Sequence, residues 1–113
     1  MLDVTLFYRA TTPEFTFVLP KDASEYGLIR VSFWQGNVDF VKSCGNGSYD
    51  SGVETDEDKV IVTLSQEETL LFSRGFVKTQ VRVLASDQQH VDASEVFRIV
   101  VADVKDDEIL GGK

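Results

Sequence analysis

The chain has 113 residues, with eleven Lys and Arg against nineteen Asp and Glu, for a net charge of −8 at pH 7. That balance argues against duplex nucleic acid and anionic membrane as partners, because both reward positive charge that displaces counterions. The length suits one domain, which buries roughly 65% of the surface its unfolded chain exposes, and the single cysteine, Cys44, rules out an internal disulfide framework.

The remaining composition favours strands. Eight Phe and a Val-rich sequence supply apolar, aromatic and β-branched material. The opening Met1-Leu2-Asp3-Val4-Thr5 has neither a basic region nor an extended apolar run, and no stretch approaches the ~20 apolar residues of a membrane span. A protein made and held in solution, in a reducing compartment, is the expectation.

In chain order, residues 2–8 form a predicted strand in which Leu2, Val4, Leu6 and Tyr8 share one face while Asp3, Thr5 and Phe7 take the other. Pro13 breaks the chain before a second strand over 14–19, with Phe15, Phe17 and Leu19 on one side. Pro20 ends it, and residues 21–27 form a polar loop with one helical turn after Asp22. A third strand, 28–35, sets Ile29, Val31 and Phe33 against Arg30, Ser32 and Trp34. Gly36 and Asn37 then suit a tight turn, so 28–42 reads as a hairpin.

Residues 43–58 are loop, rich in Gly and acids, with a short edge strand near 49–53. A strand over 59–64 points Val60, Val62 and Leu64 inward. Ser65-Gln66-Glu67-Glu68 is a capping box, in which hydroxyl and carboxylate each satisfy a backbone amide, and it predicts a helical turn over 66–72 with Gly75 as its C-terminal cap.

Two long strands follow and dominate the pattern. Val77, Thr79, Val81 and Val83 oppose Lys78, Gln80 and Arg82; beyond a polar connection over 85–90, Phe97, Ile99 and Val101 oppose Arg98. These strands are expected to pair as neighbours. The whole reads as an immunoglobulin-like antiparallel β-sandwich of about seven strands, one domain over 1–104 with an acidic, glycine-ended tail over 105–113.

Candidate chemistry is sparse. Asp50, Glu54, Asp56, Glu57 and Asp58 bring together carboxylates of the kind calcium prefers, but they lack the order and closing Glu of a single-loop calcium site, so a solvated charged loop is the stronger reading. Cys44 is a nucleophile only with a base in reach, and the sole histidine, His90, lies in a different loop. No phosphate cradle, nucleophile elbow or zinc-type cysteine pair is present, so no catalytic, metal or cofactor residue is assigned and an enzyme is not expected.

Alternation or loop position leaves Phe7, Tyr26, Trp34, Phe40, Tyr49, Phe76 and Leu84 outside the core, and these are the candidates for a contact surface. Of these, Tyr26, Trp34, Tyr49, Phe76 and Leu84 are the best placed, although core and surface roles weigh equally for Trp34.

The runs Tyr8 to Pro20, Ile29 to Gly36, Val62 to Leu70, Val81 to Leu84 and Asp106 to Leu110 resemble a family of small prophage proteins encoded in the tail region of Gram-positive bacteria. The most specific part is Leu64-Ser65-Gln66-Glu67-Glu68-Thr69-Leu70, followed by Gln80-Val81-Arg82-Val83-Leu84; the acidic loop over 50–58 lies outside the resemblance. More distantly, the sandwich is similar to the N-terminal domains of phage baseplate proteins. The resemblance implies a virion structural protein that works by protein–protein association, including self-association, in the host cytoplasm during assembly and then in the particle. The charge balance, for its part, leaves no nucleic acid or membrane partner expected. A carbohydrate-binding or host-adhesion module, with Trp34 or Tyr49 stacked on a sugar ring, is the alternative.

Overall fold

A computed structural model describes residues 6–45, 47–86 and 90–103. Among them, ten strands form an all-β fold of two sheets. They are β1 (Leu6–Tyr8), β2 (Glu14–Val18), β3 (Tyr26–Gln35), β4 (Val38–Gly45), β5 (Ser48–Tyr49), β6 (Val53–Asp56), β7 (Lys59–Thr63), β8 (Gly75–Ala85), β9 (Val91–Ala93) and β10 (Phe97–Ala102). Three of the ten, β1, β5 and β9, are only two or three residues long. Strands that short carry too little alternation to be separated from loop, so about seven were expected. The acidic tail over 105–113, and Leu2 and Val4 of the first expected strand, lie outside the described residues.

The larger sheet has the order β1-β10-β8-β3-β4-β5, with β9 also paired to β8; the smaller has the order β2-β7-β6. The expected neighbours are neighbours. β10 lies antiparallel on β8, with Phe97 opposite Thr79 and Ile99 opposite Val77. The return from β8 is broken into two pieces on one edge, β9 against residues 82–84 and β10 against 75–79. Ser94 makes the break: its amide donates to the Val81 carbonyl while its hydroxyl accepts from the Val81 amide, which stands in for the missing ladder pair.

One pairing departs from the antiparallel expectation, since β1 runs parallel to β10. The crossover between them is the whole intervening chain, and the first strand covers the edge that the last would otherwise expose.

The inner faces supply the core. From the large sheet come Ile29, Val31, Phe33, Val77, Val81, Val83, Ile99 and Val101, and from the small sheet Phe15, Phe17, Val53, Val60 and Val62, all buried. Leu19, Leu64 and Phe72 close the ends. The aromatic rings form a chain between the layers: Phe15 meets Phe33 at 5.7 Å, Phe33 stacks on Phe40 at 5.3 Å, and Phe40 meets Phe72 at 5.4 Å.

Two expected surface residues are therefore core residues. Phe40 packs against the buried cluster, and Phe7 is buried with its ring edge-on to Phe15 at 5.8 Å and to Phe72 at 6.5 Å. Leu6 and Tyr8 face out instead. In so short a strand the single large ring that fits the gap between Phe15 and Phe72 decides which face turns inward, against the bulk of the alternation.

The turns follow local chemistry. Of the two residues in the β3–β4 loop, only the first, Gly36, takes positive φ, as type II′ hairpins require. The capping box forms in both halves, with the Glu68 amide donating to the Ser65 hydroxyl at 3.1 Å and the Ser65 amide donating to the Glu68 carboxylate at 2.8 Å. It starts α1, Gln66–Thr69, which is shorter than the expected 66–72 because Leu71 and Phe72 continue only as turns. The helix ends at Leu70, so Gly75 is not its cap; it opens β8 at φ +130°.

Candidate functional site

Because the small sheet covers one face of the large sheet, the large sheet's other face is open. Cross-strand register orders the side chains on it. Leu6, Val100 and Phe76 form one row, Arg98, Lys78, Trp34 and Asp39 a second, and Arg82 and Arg30 another, with Ser43 beyond them. Phe76 is 59% exposed, the Arg98 guanidinium lies 5.7 Å from its ring centroid, and Trp34 is half-buried between charged neighbours. Leu84 is on this same face, opposite Leu28 and Val91. Three of the five candidate contact residues, Trp34, Phe76 and Leu84, therefore share one surface.

The other two lie elsewhere and come together. Tyr26 is half-buried against the core, and Tyr49 is 53% exposed at the edge of the large sheet, with its hydroxyl 3.0 Å from the Thr55 hydroxyl of β6. Both line an open cleft of about 420 Å³, with Cys44, Asp22, Ser24, Thr55, Glu57 and Ser86 among its other walls. Register places Tyr49 beside Cys44 on the inner side of the large sheet, and its hydroxyl reaches Thr55 of the small one.

The cleft's chemistry is quiet. Asp22 caps a 3₁₀ turn, accepting from the amide and hydroxyl of Ser24, and these two bonds hold its carboxyl below the usual range. Burial, with Asp50 nearby, pushes the Cys44 thiol up, which keeps it protonated and unreactive at neutral pH. His90 lines a different cavity, of about 610 Å³, with Lys21, Glu25 and Asp92. The acidic loop over 50–58 becomes β6 with a turn on either side, with Asp50 accepting from the Ser43 amide at 2.8 Å and Asp58 paired to Lys59 at 3.2 Å. Among the described residues, no three His, Cys, Asp or Glu side chains are grouped to hold a metal ion. Among them too, no helix is long and apolar enough to cross a membrane.

One inward charge escaped the sequence reading. Lys42 is 7% exposed, on the core side of β4 between Phe40 and Cys44, and its ammonium meets the Glu68 carboxylate at 2.6 Å and the Ser51 carbonyl at 2.7 Å. The signal was available: Phe40, Lys42 and Cys44 sit at period two, so continuing the strand to Gly45 turns the lysine inward. The four outward basic residues were legible one by one as opposed positions in the alternation, but their convergence needs the strand order.

No protein-family model matches this sequence, and no curated protein is similar to it.

Proposed function

We propose that this protein is a structural component of a phage or prophage particle, a tail or baseplate accessory that acts by binding other proteins rather than by turnover. The observation that carries the reading is the open face of the large sheet, where exposed Phe76, Leu6 and Val100 lie beside half-buried Trp34 and four cations. Apolar and aromatic groups interleaved with arginine are the composition that protein interfaces favour. The phage assignment rests on the resemblance of the Leu64 to Leu70 and Gln80 to Leu84 segments to tail-region prophage proteins.

The test is mass spectrometry of density-purified particles induced from a host cell that carries the gene. Recovery of the protein alongside tail components is expected. Its consistent absence from particles whose other tail proteins are detected would overturn the reading.

A carbohydrate-binding role is the second reading, and it is favoured by Tyr49 at the mouth of the polar cleft, where an exposed ring stands beside carboxylates and hydroxyls. A glycan array distinguishes the two. Hits that vanish in Tyr49→Ala would select the sugar-binding reading, and an array without hits would remove it.

A further inference from the structure

The chain carries a net charge of −8, yet the open face of the large sheet gathers Arg30, Lys78, Arg82 and Arg98, all exposed. Register sets Arg30 directly opposite Arg82, and Arg98 directly opposite Lys78. Like charges in facing positions of adjacent strands repel, so the isolated molecule gains nothing from either pair. Among the described residues, Asp39 is the acid in register with them, opposite Trp34 at the far end of its row. Arginines held against one another around Phe76 and Trp34 describe a surface that is satisfied by an incoming acidic face.

The same molecule carries such a face on its other side. On the small sheet, Glu14, Glu54 and Asp56 are exposed around Ile61 and Val18, with Ile61 opposite both Glu54 and Thr16. The cation there, Lys59, is already held by Asp58 at 3.2 Å. Both outer faces combine apolar groups with charge, and the charges are opposite in sign.

We propose that copies of this chain associate head to tail, with the basic, aromatic outer face of the large sheet in one copy docked on the acidic outer face of the small sheet in the next. The two faces lie on opposite sides of the sandwich, so the contact is heterologous. Each added copy presents a fresh face, and the assembly grows as a stack or closes as a ring. A polyanion such as single-stranded DNA is the less favoured occupant, because the net charge of −8 repels it at long range. The inference rests on the association reading above and names its partner and its surface.

Sedimentation velocity on the full chain tests it. The wild type is expected to form species larger than monomer as concentration rises at low salt, and to revert towards monomer in about 1 M NaCl, where the screening length is roughly 3 Å. Arg30→Gln/Arg82→Gln weakens the basic face and Glu54→Gln/Asp56→Asn the acidic one without creating a new charge of either sign; each alone is expected to stay monomeric. Mixed in equal amounts, the two variants retain one intact face each and are expected to form a dimer that grows no further. Urea midpoints near that of the wild type confirm that both variants fold.

A wild type that stays monomeric at high concentration and low salt would overturn the proposal. So would variants that still assemble, a mixture that stays monomeric, or a monomer that binds a single-stranded DNA oligonucleotide through Arg30 and Arg82. The two readings fail separately. A monomer recovered in purified particles removes head-to-tail stacking and leaves the particle component, whereas a stacking protein absent from particles does the reverse.

Discussion

Lys42 shows how one side chain ties the two halves of the fold together. A buried ammonium is tolerated only when paired and hydrogen-bonded, and here the Glu68 carboxylate and the Ser51 carbonyl supply both. Glu68→Gln keeps an oxygen for the Ser65 amide but removes the charge; since Glu68 is partly solvated, the expected loss is about 2 kcal/mol in urea unfolding. Lys42→Met, which fills similar volume without charge, is expected to cost less, and the double variant less than the sum of the singles.

Thr79 presents the opposite case. It is fully buried in the row between Phe97 and Phe33, and its hydroxyl has no hydrogen-bond partner. Thr79→Val keeps the shape, removes the unpaired oxygen, and is expected to stabilise the fold by about 1 kcal/mol. A loss of stability instead would mean that the hydroxyl is satisfied.

Cys44 sets a pH dependence. Burial raises its thiol pKa above the unfolded value of roughly 8.5, so the folded state holds the proton more tightly. That stability is fully present below the unfolded pKa and is lost as pH rises through the folded one. Relative to Cys44→Ala, the wild-type urea midpoint is therefore expected to fall with increasing pH above about 8.5, with parallel curves below that value.

At the scale of elements, alternation carried most of the information. Where a strand is five residues or longer and one face is buried, as in β2, β3, β7 and β8, the inward residues were readable one by one: Phe15, Phe17, Ile29, Val31, Phe33, Val60, Val62, Val77, Val81 and Val83. The capping box was readable because its four residues are contiguous and act locally. Ser65→Ala is expected to cost about 1 kcal/mol, measured by thermal or urea unfolding.

What stayed illegible depends on partners distant in sequence. Phe7 turns inward only because Phe15 and Phe72 leave a ring-sized gap, and β1 runs parallel only because β10 is its neighbour. Phe40 joins the core by stacking on Phe33 across the hairpin, and the period of two that links it to Lys42 and Cys44 becomes readable only when β4 is carried through to Gly45. The same limit applies to the contact surface. Trp34, Phe76 and Leu84 were picked out individually, but the cationic rows around them exist only once β10, β8 and β3 lie side by side.

At the scale of the whole molecule, the two layers hide an apolar interior and present two unlike outer faces. The smaller face is acidic and the larger is basic and aromatic, within a protein whose overall charge is strongly negative. The proposed function by association rests on that asymmetry, since among the described residues the facing pairs Arg30–Arg82 and Lys78–Arg98 set like charge against like. The like-charge rows also make a prediction about the isolated domain. Arg82→Gln relieves the repulsion with Arg30 and is expected to raise monomer stability by about 0.5 kcal/mol at low salt, an effect that shrinks as salt is added.

The central claim, that the open face of the large sheet is where this protein meets its neighbour, is tested most directly by carbene footprinting of the wild type at increasing concentration in low salt. Labelling at Trp34 and Phe76 is expected to fall in step with labelling at Glu54 and Asp56, while Tyr49 in the cleft stays unchanged. Labelling of Trp34 and Phe76 that is indifferent to concentration, with protection confined to the cleft, would contradict it.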